Sequence, residues 1–273
     1  MKLNDGVIEG VTVEALAKFE TYHLSQGASI ITDQVPGPRS SELLKRQQEL
    51  EGKIVSYPID FPVALDMAKG AVIQDVDGNQ FIDFFSMAGV LNLGHCNPDI
   101  IEAVQKQQSR LVHALDFPTY NKMKLIENIL SALPNHWQDE YKINFCASTG
   151  SDAIEAAIKL AKQKTGRETI IAFQGGYHGM TSGALSITSG VGFRNKLNGL
   201  IPGVHFIPYS YCYRCPFGKN PIDCKMDCAD FLESLLLNPH SGIKKPAAVV
   251  LEPIQGEGGI VVPQNNYLTR MLK

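Results

Sequence analysis

The sequence has no run of about 18 apolar residues, so it offers no helical membrane span. Its opening Met1-Lys2-Leu3-Asn4-Asp5-Gly6 forms no signal-peptide core, and a cytoplasmic setting is the expectation. Excess charge of one sign is also missing. The formal net charge of -3 gives no long-range pull toward nucleic acid or anionic lipid, so neither is an expected partner. Cysteine is thin, six in 273 residues, too sparse for a disulfide-built scaffold. What is present is the ordinary composition of a folded protein, 44% hydrophobic and 19% charged, with chain enough for one large α/β core or two smaller domains.

The most informative stretch is Ser148-Thr149-Gly150-Ser151-Asp152. It follows the β-prone Tyr141, Ile143 and Phe145 and opens a segment with Ala153, Ala156, Ala157, Leu160 and Ala161 at helical spacing. The pattern is strand, small-residue turn, helix. First-turn N–H groups have no intrahelical partner and the helix dipole is positive there, so Gly150 and Ser151 present an anion site suited to a phosphate. The same residues also read as a plain helix cap by Ser148, Thr149 or Ser151.

Upstream, helical patterns cover Val13 to Leu24 and Ser40 to Leu50, the second with Ser40 or Ser41 as cap. Neither has the apolar surface of a domain, and they read as an arm laid over another surface or as a frayed terminus. The apolar stretches on either side of Asp77-Gly78 predict a hairpin over 71–85. Ser86 to His95 is glycine-punctuated and aperiodic, a loop that lines a cavity or merely connects. Asn97-Pro98 starts a helix to about Arg110, and another runs from Asn121 to Leu133 before Pro134.

Strands are expected at Tyr141 to Phe145, Thr169 to Phe173, Val204 to Ile207 and Pro246 to Leu251; the helix between the first two makes a βαβ unit, which predicts a parallel sheet. Gly175-Gly176-Tyr177-His178-Gly179 follows one strand end. There an aromatic ring and an imidazole meet ligands in open α/β sheets, although such a pair also serves as a packed corner. Glu252 and Glu257 follow another strand end, where an acid is costly without a partner or ligand. A last helix begins near Asn265 or Asn266. Cys212-x2-Cys215 and Cys224-x3-Cys228, with eight residues between the pairs, resemble a thiolate zinc knuckle or form an inert cysteine loop, with Asp227 capping the helix that follows.

Three motifs in order, Ser148 to Ser151, Gly175 to Gly179 and Glu252 to Gly259, each after an expected strand, resemble those of class III pyridoxal-phosphate-dependent aminotransferases. Among these the chain is most similar to the diaminobutyrate:2-oxoglutarate aminotransferases, from about Ser40 onward. The resemblance implies an incomplete α/β fold of type I: a three-layer αβα large domain with a mostly parallel sheet, and the N-terminal part of a small domain. It divides the chain into an N-terminal arm with helices over 1–50, the small-domain part and a linking helix over 51–110, and a large cofactor-binding domain over 111–273.

It also implies pyridoxal 5'-phosphate as cofactor, with Gly150 and Ser151 on the phosphate and Thr149 in support. Tyr177 would stack on the ring, with His178 beside it and Glu252 lining the site. Met87, Gly89 and Val90 would help form the substrate pocket, and Glu257 would be a gating acid that pairs with an arginine from the C-terminal part. The implied reaction moves an amino group from L-2,4-diaminobutyrate or a similar ω-amino donor to 2-oxoglutarate, in a homodimer or in a pairing with a C-terminal fragment. The family's cofactor-binding lysine and its Asp-Glu motif lie beyond Glu257. In this sequence no Asp-Glu pair follows Glu257, the one later lysine is Lys273, and Lys244 and Lys245 precede a strand, so no catalytic residue is assigned. A transaminase needs that lysine as covalent anchor and general base. The chain therefore resembles a truncated or split member with little activity alone, or a non-catalytic fragment that pairs with a complementary or intact chain.

Overall fold

The computed structural model describes residues 22–24, 27–52, 56–195, 197–264 and 266–272. The expected helix from Val13 lies, except for its last residues, outside them. Two compact units divide the chain, Met1–Lys124 and Leu125–Lys273. Among the described residues no helix is long and apolar enough to cross a membrane.

In the first unit α1 (Pro38–Leu50) and α2 (Tyr57–Asp60) precede β1 (Leu65–Lys69), β2 (Val72–Asp75) and β3 (Gln80–Ile82), which pair antiparallel in that order. The expected hairpin is therefore β2–β3. Gly78 takes φ +92°, and the buried Asp75 carboxylate accepts from the Asp77 N–H at 3.0 Å and from the Asn79 N–H and Nδ2, each at 2.8 Å. Asp77 then accepts from the N–H groups of Arg39 and Ser40, both at 2.8 Å, and closes the head of α1 from a distance. That corrects the cap expected of Ser40 or Ser41: Ser40 is fully buried within the first turn, and its hydroxyl accepts from the Ala64 N–H at 3.3 Å. Downstream, Ser86–Gly89 is a tight left-handed turn, here α3, rather than a plain loop. It is followed by α4 (Pro98–Gln108), capped as expected by Asn97, and by α5 (Tyr120–Ser131), in which the division between the units falls.

The second unit continues through α6 (Asn135–Gln138), α7 (Gly150–Thr165), β4 (Ile170–Phe173), α8 (Ser182–Ser186), α9 (Val191–Arg194), β5 (Val204–Ile207), a 3-10 turn at Cys212–Arg214, α10 (Asp227–Leu237), β6 (Ala248–Val249) and α11 (Tyr267–Met271). The sheet order is β5-β4-β6, all parallel. Every residue of β4 is buried, and successive side chains point to opposite faces. Ile171 and Phe173 pack with Ile207, Cys228, Ala229, Leu232 and Tyr267, on the side of α10 and α11; Ile170 and Ala172 pack with Ile158 of α7 and with Ile187. Helix, sheet and helix thus form the three expected layers.

Three expectations fail here. Tyr141 to Phe145 is not a strand: among the described residues no ladder forms along it. Asn144 and Cys146 instead line one side of an open cleft, with Ala153, Ala156, Ala157 and Leu160 of α7 on the other. The strand expected over Pro246 to Leu251 contracts to the two residues of β6, at the sheet edge. Asp227 is the first residue of α10 rather than its cap, because Met226 turns into the left-handed region at φ 65°.

Candidate functional site

The first turn of α7 is built by a capping box. Asp152 N–H donates to the Thr149 hydroxyl oxygen at 3.3 Å, Thr149 N–H donates to the Asp152 carboxylate at 3.2 Å, and the Thr149 hydroxyl donates to the same carboxylate at 2.7 Å. Gly166, at φ 67°, closes the other end, and Lys162 and Lys164 sit where the dipole is negative. The polar groups of Thr149 are therefore spent inside the helix head. Gly150 is exposed, and a Cβ built there would meet nothing within 4 Å, so the space in front of the first N–H groups is open.

Ser151 ties this helix end to the loop after β4, since its hydroxyl oxygen accepts from the Met180 N–H at 3.2 Å. A hydroxyl that accepts from an N–H keeps its own hydrogen to donate. One turn further, Glu155 accepts from the N–H groups of Gly183 at 2.6 Å and Ala184 at 3.3 Å, at the start of α8. Within the loop, Gly175 takes φ +82° and Gly179 φ +125°, and a side chain at Gly179 would collide with Ser151. Glycine is needed at 179 both for the backbone conformation and for this close approach.

Glu252, just past β6, joins the two strand-end loops. One carboxylate oxygen accepts from the Tyr177 N–H at 2.8 Å and the other from the Gly256 N–H at 2.9 Å. The Tyr177 ring lies edge-on to Phe193, centroids 5.3 Å apart. His178 is buried, its backbone N–H donates to the Thr188 hydroxyl at 2.9 Å, and among the described residues its Nε2 has no hydrogen-bond partner. Burial lowers the His178 pKa against the pull of the Glu252 charge, which keeps the imidazole neutral. Glu257 is exposed on the turn closed by the backbone pairing of Gln255 with Val261.

The second unit thus brings Gly150, Ser151, Tyr177, His178 and Glu252 to the carboxyl end of the parallel sheet, the usual place for ligands in such sheets. Open first-turn N–H groups, a hydroxyl with a hydrogen to give and a buried neutral imidazole nitrogen without a partner suit a group that carries a phosphate and a polar ring. Met87, Gly89 and Val90 belong to the first unit. Met87 at φ 46°, ψ 59° and Gly89 at φ 76° make the left-handed turn of α3, and Val90 beside it is 76% exposed. Successive left-handed residues other than glycine are costly and cluster at functional segments.

Cys212, Cys215, Cys224 and Cys228, the residues of the zinc alternative, lie in the second unit. Among the described residues no three His, Cys, Asp or Glu side chains gather into a metal-holding group, and all four thiols are free. Burial pushes the Cys228 thiol up.

Residues 56–273 match the class-III aminotransferase family model. The chain belongs to the class-III aminotransferase family. It is 44% identical over 220 residues to a diaminobutyrate–2-oxoglutarate aminotransferase of Rhizobium meliloti, covering 80% of this chain and 47% of that protein. It is 42% identical over 234 residues to the Haemophilus influenzae enzyme of the same name, covering 85% and 51%. The chain thus spans about half the length of the curated relatives that it matches. Among solved structures, it superposes with a TM-score of 0.68 and 25% identity on a PLP-bound amine transaminase from an uncultivated Pseudomonas species, covering 81% of this chain and 51% of that one. An omega-transaminase from Thermomicrobium roseum gives 0.73 at 24% identity, covering 85% and 53%. The fold is that of type I aminotransferases, represented in part.

Sequence reasoning missed Tyr209, Glu155 and Gln255 in this family's site region. Tyr209 is an aromatic residue just past β5, a position comparable to Tyr177 after β4. Gln255 is 2% exposed and donates from Nε2 to the Gln174 carbonyl at 2.8 Å, which joins the same two strand-end loops that Glu252 joins. Only its glycine-rich surroundings hinted at so tight an approach.

Proposed function

We propose that these residues form the phosphate- and ring-contacting part of a pyridoxal-phosphate site in an aminotransferase that moves an amino group from L-2,4-diaminobutyrate, or a similar ω-amino donor, to 2-oxoglutarate. The observation that carries the reading is the 44% identity over 220 residues to a diaminobutyrate–2-oxoglutarate aminotransferase, beside a family match over 56–273 that holds all three loops. In this reading Gly150 and Ser151 bind the phosphate through N–H groups and a hydroxyl, and Thr149 shapes the turn that presents them. Tyr177 stacks on the ring, His178 sits beside it with a neutral nitrogen, and Glu252 lines the site and holds the Tyr177 and Gly256 loops in register. Met87, Gly89 and Val90 contribute to the substrate pocket, and the exposed Glu257 is the gating acid. When bound, the cofactor supplies an electron sink for the carbon that loses its proton. The covalent anchor for it is assigned to no residue of this chain. The partners are small amino and keto acids, with a homodimer or a complementary C-terminal part completing the protein, in a cytoplasmic setting.

The test compares pyridoxal 5'-phosphate with pyridoxal, by equilibrium binding to the chain and to Ser151→Asp. An acid in the first turn suits the helix and can still accept from Met180, so the variant folds. Its charge opposes an anion, so the phosphate form is expected to bind on the order of tenfold or more weakly while pyridoxal is unchanged. Equal loss for both would overturn the phosphate assignment. A panel of L-2,4-diaminobutyrate, 4-aminobutyrate and ornithine with 2-oxoglutarate, read as glutamate formed by the protein that carries these residues, tests the donor. Faster turnover with either of the other two would overturn the diaminobutyrate reading.

A further inference from the structure

We propose that Tyr209 is a positioning residue for the Glu252 carboxylate. Tyr209 is 3% exposed, and its single hydroxyl hydrogen is shared between two successive carbonyls, those of Glu252 at 2.9 Å and Pro253 at 3.1 Å. These carbonyls lie beyond the end of β6, past the bond that the Val250 N–H donates to the Ile171 carbonyl at 2.8 Å. The phenol grips the main chain of Glu252 while the carboxylate of the same residue grips the N–H groups of Tyr177 and Gly256. Fixing the peptide on one side thus sets the side chain on the other.

The ring is held so that the hydroxyl cannot swing away. Phe173, the last residue of β4, meets it edge-on at 5.7 Å and 86°, and Tyr267 meets it at 5.4 Å and 73°. Those two rings belong to the same buried cluster as Cys228 and Leu232, so the layer behind the sheet clamps the phenol. Its proton is secure as well. Burial, then the Glu252 charge, pushes the Tyr209 pKa up to about 12, and the group remains a donor through neutral pH. The route runs from the packed face of the sheet through one hydroxyl to the loops at its carboxyl end.

The inference rests on Glu252 lining the proposed site, but its test needs no cofactor. Amide hydrogen exchange of the chain is compared with that of Tyr209→Phe, which keeps the ring and both edge contacts. The Tyr177 and Gly256 amides are expected to exchange about tenfold faster, with the β4 amides of Ile171 and Phe173 unchanged. Glu252→Gln should quicken the same pair, and the double variant should be no faster than Glu252→Gln alone, since the two residues act in series. In the unsubstituted chain the Tyr209 hydroxyl proton should give its own slowly exchanging resonance. Unchanged Tyr177 and Gly256 rates, a uniform rise that includes β4, multiplying effects, or a hydroxyl proton lost into the water signal would each overturn the proposal. Failure of the phosphate test with this exchange pattern intact would sink the cofactor reading and leave the Tyr209 assignment standing.

Discussion

Each unit is organised around a three-stranded sheet, and the two sheets are specified by different physics. The antiparallel β1-β2-β3 joins neighbours in sequence, so the three-residue turn Val76 to Gly78 and the carboxylate of Asp75 set the register of β2 and β3. The parallel β5-β4-β6 joins segments far apart along the chain, and the burial of β4 on both faces, with its ladder bonds, holds them together. Local chemistry dominates the first and packing the second. Substitutions that remove one or the other should therefore have opposite weights in the two units.

Ile171→Ala is the largest expected effect. Ile171 is fully buried and central to the cluster that joins β4 to α10 and α11. Deleting its outer carbons should cost about 2–5 kcal/mol. The single tryptophan, Trp137, lies in the second unit, so its fluorescence in a urea titration reads the loss directly. A smaller cost than that of any turn substitution in the first unit would break the comparison.

Gly78→Ala probes the other sheet and is expected to matter less. At φ +92° a Cβ is strained, at about 1–2 kcal/mol, and the built Cβ lies 2.9 Å from Ile31 Cδ1, the free end of a side chain that can give way. Amide exchange across β2 and β3 measures it. Asn at the same position tolerates left-handed backbone better, so Gly78→Asn should recover part of the loss; no recovery would show that crowding by Ile31, rather than φ, is what matters.

The same contrast explains what could be read in advance. Asp77-Gly78, Asn97-Pro98 and the small-residue head of α7 carry their structure in a few adjacent residues, and the hairpin, the α4 cap and the α7 start stand where the sequence puts them. The β4 segment was legible from its apolar run alone. Tyr141 to Phe145 carried the same signal and formed no strand, because a ladder depends on a partner that local sequence does not reveal. Within the candidate site, Tyr177, His178 and Glu252 stood out by their position at strand ends. Their mutual bonds did not: nothing adjacent to Glu252 announces that it holds the Tyr177 N–H, 75 positions away, or that Tyr209 holds Glu252 from behind. The capping box at Thr149 was visible as residue types and ambiguous as a role, since one hydroxyl can close a helix or meet a phosphate and only its partner decides.

The smallest expected effect concerns the histidines. In the first unit His95 Nε2 lies 2.8 Å from an Asp83 carboxylate oxygen, whereas in the second His178 Nε2 is buried with no partner among the described residues, and burial lowers its pKa from the ordinary 6.5. An imidazole kept neutral in the native state declines a proton that the unfolded chain accepts, so the unfolded state binds more protons below pH 6.5 and stability falls as pH drops from there. Above 6.5 both states are neutral and the contribution is constant. Unfolding of the second unit, followed by Trp137 fluorescence, should therefore show a lower midpoint at pH 5.5 than at pH 7.5, and His178→Asn should flatten that slope. Because the Glu252 charge opposes the lowering, Glu252→Gln should extend the decline further into acid. A slope that His178→Asn leaves untouched would place the titrating group elsewhere, and the contrast between a partnered and an unpartnered imidazole would lose its energetic meaning.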